Sequence, residues 1–173
     1  IVTKDFFEEL SDIKSSSFHY DAKCLGLYAT DASLYQVVPI GVFIPTSEAD
    51  LIAGVKIAHK YGVPILPRGS ATSLAGQTVN NALVIDFTNH FDKILEINPD
   101  QRYAIIQPGV VRDTFNNEAK QFDLHYAPDP ATSSRATIGG MIINNSSGTK
   151  SIKYGMSIDH VISMRVLLSD GSL

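Results

Sequence analysis

The sequence is poor in the features that announce special classes of protein. Its one cysteine, Cys24, excludes an intramolecular disulfide framework and any cysteine-based metal cluster, and reads as an ordinary small hydrophobe in a reducing compartment. No stretch of about 18 apolar residues occurs, so no transmembrane segment is expected, and the leading Ile1-Val2-Thr3-Lys4-Asp5 lacks the basic-then-apolar order of a secretory signal. A cytoplasmic setting follows, in which the glycosylation patterns at Asn144 and Asn145 are accidental. Internal repeats, low-complexity tracts and runs of like charge are missing. The net charge of −4 gives no strong positive field, so nucleic acid is not an expected partner. His19, His59, His90, His125 and His160 show no metal-ligand spacing, and no metal is expected.

What is present is an ordinary globular chain of 173 residues, 44% of them hydrophobic, enough for one compact unit or two small lobes. Apolar spacing predicts an amphipathic helix over Asp5 to Ile13. Val37 to Ile44 reads as a short or edge strand, because Pro39 and Gly41 interrupt it. A helix follows Thr46 or Ser47 as N-cap, with acidic residues in its first turn and lysines towards Gly62. Val63 to Leu66 and Ala82 to Phe87 read as buried strands, and Lys93 to Ile97 pairs with Arg102 to Gln107 across an Asn-Pro-Asp-Gln turn. Val110 to Phe122 and Ala136 to Asn144 are predicted helices, and Val161 to Leu168 a last strand entering an Asp-Gly hairpin turn. The order implies an α+β chain of two lobes, the first holding a β-α-β unit over Val37 to Leu66. The non-Met start and the unanswered final strand suggest a piece of a longer protein.

Two regions rich in small residues are the candidate sites. Pro67-Arg68-Gly69-Ser70-Ala71-Thr72-Ser73-Leu74-Ala75-Gly76-Gln77 follows a strand, and small residues let a backbone curl around an oxyanion and present several N–H donors to it. Taken alone, such a loop is equally a structural turn or a ligand cradle. It is neither a P-loop nor a Gly-x-Gly-x-x-Gly fingerprint, which disfavours P-loop NTPases and Rossmann dinucleotide domains. The second region runs from Pro128 to Gly148, where glycines opening a helix would expose N–H groups to an anion. Two such regions favour one large polar ligand over two unrelated turns.

The first string resembles the "P-R-G-G-G-T-S-L-x-G-Q" pyrophosphate loop of the PCMH-type FAD-binding domain in the vanillyl-alcohol-oxidase superfamily. Ala136-Thr137-Ile138-Gly139-Gly140 with Asn145 and Gly148 resembles the same family's "A-T-I-G-G-x-x-x-x-N-x-x-G". Tyr28 to Ser33, Pro39 to Thr46, Gln107-Pro108-Gly109-Val110, and Tyr154-Gly155 with Asp159 and Val161 resemble further family segments in the family's order. The similarity is closest to the glycolate oxidase and D-lactate dehydrogenase branch. It covers residues 25–173, leaving residues 1–24 as an N-terminal helical segment.

The resemblance implies a two-lobed α+β fold, a small β-α-β lobe plus an antiparallel-sheet lobe with helices, holding FAD extended between them. It implies that Arg68, Gly69, Ser70, Ala71, Thr72 and Ser73 cradle the pyrophosphate. Asp129, Ala131, Ala136, Thr137, Gly139 and Gly140 would line the middle of the cofactor, with Asn145 and Gly148 supporting that turn. Tyr154, Gly155 and Val161 would lie towards the adenosine end. The implied reaction is oxidation of a small 2-hydroxy acid to its 2-oxo acid by the full-length flavoenzyme. The substrate domain and catalytic residues of such enzymes lie downstream, so none is assigned here and the electron acceptor is open. A sugar or alcohol oxidase or enolpyruvyl reductase of the same fold, or a non-catalytic nucleotide or phosphate module, are the alternatives. Two departures matter. Ala71 replaces the family's third glycine, so it either keeps a negative φ or is strained by about 1 kcal/mol. Thr72 stands where covalent relatives carry histidine, so the FAD is expected to be non-covalent.

Overall fold

The computed structural model describes residues 2–173, which divide into two compact units: residues 2–90 with Arg165–Leu173, and Phe91–Met164.

The first unit is built on a four-stranded sheet. Its strands are β1 (Ser17–His19), β2 (Gly41–Ile44), β3 (Ile65–Arg68) and β4 (Leu83–Asp86), in the order β1-β2-β4-β3. β2, β4 and β3 are mutually parallel, and β1 closes one edge antiparallel to β2. The parallel centre is covered on both faces: Val42, Phe43, Leu83, Val84 and Ile85 are almost fully buried, which is why these strands read as continuous apolar runs. Helix α1 (Lys4–Ser11) buries Phe6 and Leu10, four residues apart on one face, and packs against α3 (Glu48–Lys60). α3 is capped by the Ser47 hydroxyl, which accepts the Asp50 amide, and buries Leu51, Val55 and Ala58. Gly54 lies where a Cβ would overlap the Phe43 ring, so the helix backbone approaches the sheet closely.

The predicted β-α-β unit is present with one revision: β4 inserts between β2 and β3, so the two strands joined by α3 are parallel but not adjacent. The first strand also starts later than Val37. Val37 and Ile40 donate outside the ladder, to Ala29 and Ala82, and Pro39 has no N–H to give. Neither β1 nor α2 (Ala22–Tyr28) was expected. The three-residue β1 is too short to show a period, and α2 buries no residue, its start being set instead by Asp21 accepting the Lys23 and Cys24 amides.

In the second unit, β5 (Ile94–Asn98) and β6 (Tyr103–Ile106) form the expected antiparallel hairpin, with Asn98 Oδ1 accepting the Gln101 amide in the turn. Three helices follow: α4 (Arg112–Ala119), extended by a 3-10 turn over Lys120–Phe122, then α5 (Ile138–Ile143) and α6 (Ser151–Tyr154). Its core is thin, gathering Phe91, Val110, Ala119, Ala127, Ala136, Ile138 and Met141.

The strand predicted over Val161 to Leu168 does not form, because no segment among the described residues offers a ladder to it. The Asp170-Gly171 turn after it does form: Gly171 takes φ 83°, its amide donates to Leu168 O, and the Leu168 amide donates to Ser172 O. No described helix is long and apolar enough to cross a membrane.

Candidate cofactor site

In the first unit, β3 releases the chain at Arg68 into the loop 69–77. Among the described residues, the backbone amides of Gly69, Ser70, Ala71, Thr72 and Ser73 find no protein acceptor, and neither do the hydroxyls of Ser70 and Thr72. All five residues are half-buried. A run of uncommitted donors on a strand-to-loop turn is the arrangement that suits an oxyanion. Ala71 sits at φ 57°, the left-handed region that favours glycine, so the strained alternative of the sequence reading is the one realised. Its carbonyl accepts the Ala32 amide at 3.1 Å, which fixes that conformation. At Gly76, with φ 73°, an added Cβ would run into the Tyr35 ring.

Arg68 does not reach out from this loop. It is buried, and its guanidinium is held by three backbone carbonyls: Nη1 donates to Tyr28 O and Thr78 O at 2.9 Å each, and Nη2 to Thr30 O at 2.7 Å. The cation also stacks on the Tyr28 ring, 5.1 Å from its centroid. Tyr28 Oη donates to Asp86 Oδ2 at 2.5 Å, and Asp86 Oδ1 accepts the Thr88 amide and hydroxyl. Asp31 accepts the Thr78 hydroxyl at 2.9 Å and the Ser33 amide at 2.8 Å. Burial pulls the Arg68 guanidinium down from its ordinary value, opposed by Tyr28, Asp31 and Asp86. Burial and the bond to Asp86 push the Tyr28 phenol well up.

The second unit holds the other region. Thr137 and Ala136 are buried, and Val111 bridges to Thr137. The expectation that the glycines opening α5 present free amides is revised for Gly139 and stands for Gly140, which is exposed and whose amide finds no acceptor among the described residues. The Gly139 amide donates to Pro108 O at 2.9 Å and the Ile138 amide to Val110 O at 2.8 Å. A Cβ on Gly139 would overlap Pro108, and one on Gly140 would crowd the Thr137 hydroxyl at 3.2 Å. Gly139 is therefore a close-approach glycine, not an exposed donor. Gly148 is another, since a Cβ there would collide with the backbone and carboxylate of Asp129. Asp129 accepts the Lys150 amide at 2.9 Å and the Thr149 hydroxyl at 3.0 Å, and these bonds, the Lys150 amide first, hold its carboxyl below the ordinary value.

Asn145 follows α5 at φ 47° and accepts the Ile158 amide at 3.0 Å, an Asn-stabilised left-handed turn. Ala131 is exposed in the turn before Ser133, whose amide donates to Pro130 O. Tyr154 is exposed, stacked edge-on against His125, with its carbonyl 3.0 Å from His160 Nε2. Gly155 adopts φ 84°, ψ −171°, a region open essentially to glycine alone, and faces the Asp159 carboxylate. Val161 is half-buried after the Ser157–His160 turn.

The sequence profile of the FAD-binding domain matches residues 39–173, well over half the chain. The chain belongs to this family. It is 39% identical over 148 residues to the D-2-hydroxyglutarate dehydrogenase of Escherichia coli K12, covering 84% of this chain and 14% of that one. It is 35% identical over 178 residues to the glycolate oxidase subunit GlcD of Bacillus subtilis, covering all of this chain and 37% of that one. The chain thus spans a seventh to somewhat over a third of the length of these relatives. Among solved structures it matches an alkyldihydroxyacetonephosphate synthase with a TM-score of 0.84 at 23% identity, over 100% of this chain and 34% of that one. A substrate-bound p-cresol methylhydroxylase gives 0.81 at 19%, over 99% and 35%. These establish the fold expected above, the two-lobed α+β fold of PCMH-type FAD-binding domains.

FAD is the cofactor of this family, and the first unit fits its charge: the uncommitted amides of the FAD-binding domain's loop 69–73 suit a pyrophosphate. One residue with a clear structural task escaped the sequence reading. Arg112 is buried, donating through Nε to Pro128 O and through Nη2 to Tyr126 O, both at 3.1 Å, and so holds the segment leading to Asp129. Its signal was there to be read: a cation in the first turn opposes the helix dipole, so another task must hold it.

Proposed function

We propose that this domain holds FAD non-covalently for a flavoenzyme that oxidises a small 2-hydroxy acid to its 2-oxo acid. The observation that carries the reading is the run of uncommitted amides over Gly69, Ser70, Ala71, Thr72 and Ser73, on a chain 39% and 35% identical to a D-2-hydroxyglutarate dehydrogenase and a glycolate oxidase subunit. The amides, with the Ser70 and Thr72 hydroxyls, receive the pyrophosphate oxygens. The second unit, taken by itself, offers a wall over the segment Asp129 to Gly148: Ala136, Thr137 and Gly140 present small surfaces, Ala131 lies at its exposed turn, and Asn145 and Gly148 hold the turn behind them. Tyr154, Gly155 and Val161 form the far end of the same wall. FAD, when bound, supplies the electron sink; the chain contributes binding and orientation.

The cytoplasmic setting, the 2-hydroxy acid as partner and the placing of substrate contacts outside residues 25–173 belong to the same proposal. Thr72, in place of a histidine, offers no ring nitrogen for a covalent flavin bond. The test is to purify the natural full-length protein, release its flavin with acid, and assay D-2-hydroxyglutarate, glycolate and D-lactate with a dye acceptor. FAD in the acid supernatant and dye reduction with one of these acids support the proposal. A protein without FAD, or one that turns over only sugars or alcohols, overturns it.

A further inference from the structure

The loop that leaves its amides free has to be held open by something other than those amides. In the first unit the segment Tyr28–Ser33 lies against both ends of the loop. Arg68, at its start, is bound to the carbonyls of Tyr28 and Thr30, and the same guanidinium reaches the Thr78 carbonyl at its end. Asp31 meets the Thr78 hydroxyl, and the Ala32 amide meets the Ala71 carbonyl in the middle. Tyr28 is anchored in turn by Asp86, the last residue of β4. Among the described residues, every hydrogen bond of the Arg68 fork therefore goes to a backbone oxygen, and the residue is buried. A guanidinium presents its donors in a fixed plane, so three carbonyls on two nitrogens is an arrangement that an ammonium cannot reproduce.

We propose that Arg68 is a positioning residue: it braces the loop 69–77 against Tyr28, Thr30 and Thr78, and does not itself touch the phosphates. The proposal rests on the reading of the loop as the FAD cradle, and it assigns to Tyr28 and Asp86 the task of fixing the plane on which the guanidinium stacks. The cradle is then preorganised before the cofactor arrives, which lowers the ordering cost of binding.

The test separates charge from geometry in the natural full-length protein. Arg68→Lys keeps the charge and loses the fork. In the FAD-free protein, hydrogen exchange of the bonded amides that tie the loop down, Ala32 on Ala71 O, Thr78 on Asp31 and Val79 on Gly76 O, is expected to quicken at least tenfold, while protection of β2 and β4 stays within twofold of wild type and certifies the fold. FAD affinity, read by flavin fluorescence, is expected to fall at least tenfold. Tyr28→Phe, which deletes only the hydroxyl on Asp86, guards against an unfolded lysine variant: exchange of the same amides should rise two- to fivefold. Unchanged exchange in both variants overturns the brace, as does a lysine variant that binds FAD within twofold of wild type, since that is the behaviour of a direct phosphate cation. Failure of the wild-type protein to bind FAD would sink the FAD reading alone, because the exchange contrast is measured without it.

Discussion

Each unit contains a buried arginine that binds backbone carbonyls of another segment, yet the glycines near the two are used differently. Arg68 holds Tyr28, Thr30 and Thr78, and the loop beside it keeps the amides of Gly69 to Ser73 uncommitted. Arg112 holds Tyr126 and Pro128, but its own amide goes to Ala136 O, and beyond it Gly139 is tied down by its amide's bond to Pro108 O. On the proposed function the first region binds through its amides and the second serves as a wall, although both are rich in Gly, Ser and Thr.

The contrast breaks most severely at the wall's contact glycines. Gly148→Val forces a side chain into the space of the Asp129 backbone and carboxylate, and a loss of about 3 kcal/mol is expected from overpacking that rigid backbone cannot relieve. Urea unfolding of the variant measures it; an unchanged midpoint would show that the turn yields freely. The loop of the first unit should respond more gently. Ala71→Gly relieves the left-handed strain at φ 57° and is expected to stabilise by about 1 kcal/mol, whereas Ala71→Val should lose about 1–2 kcal/mol. Thermal unfolding of the three proteins should rank Gly above Ala above Val. The reverse ranking would mean that the loop can leave this conformation without loss.

The central strands, α1, α3 and the β5–β6 hairpin were legible because each carries a period or an apolar run long enough to be read, as with Phe6 and Leu10 in α1, Leu51, Val55 and Ala58 in α3, and the fully buried run Leu83 to Ile85. The loop was legible as a string, Pro67 to Gln77, since its chemistry lies in the backbone and small residues permit it. What stayed hidden depends on partners distant in sequence. Nothing local marks Arg68 as bound to a carbonyl 40 residues earlier, or Gly139 as lying on Pro108. For the same reason, the exposed α2 and the three-residue β1 escaped, and Val161 to Leu168 read as a strand from its own composition while pairing is a property of two segments.

A smaller effect is expected at Tyr126, whose buried hydroxyl lies near Ser157 but forms no well-aligned hydrogen bond among the described residues, the Ser157 hydroxyl being committed to Ser146 O. Removing an unsatisfied buried hydroxyl is neutral or favourable, so Tyr126→Phe should leave stability unchanged or raise it by up to about 1 kcal/mol in thermal unfolding. A clear loss would reveal a bond formed only in solution.

The finest distinction between the two regions is their response to acid. Asp129 accepts the Lys150 amide and the Thr149 hydroxyl, and its carboxyl is held below the ordinary aspartate value. A carboxylate whose folded pKa is depressed contributes fully above the unfolded value of about 3.9, and that contribution disappears as the pH falls through the folded value. The Lys150 amide resonance should therefore be constant from neutral pH down to about pH 4 and move below it, while Asp129→Asn should give a flat profile. The same acid step in the variant would assign it to another group. No step of this kind is expected at the Arg68 brace, because a guanidinium stays protonated throughout and the carbonyls it binds do not titrate. A step at the Thr78 amide would instead trace to Asp31: burial raises its carboxyl, but the bonds from Ser33 and Thr78 outweigh that and hold it below its ordinary value. Recording both amides in one titration separates a wall tied by a carboxylate from a loop braced mainly by a permanent cation.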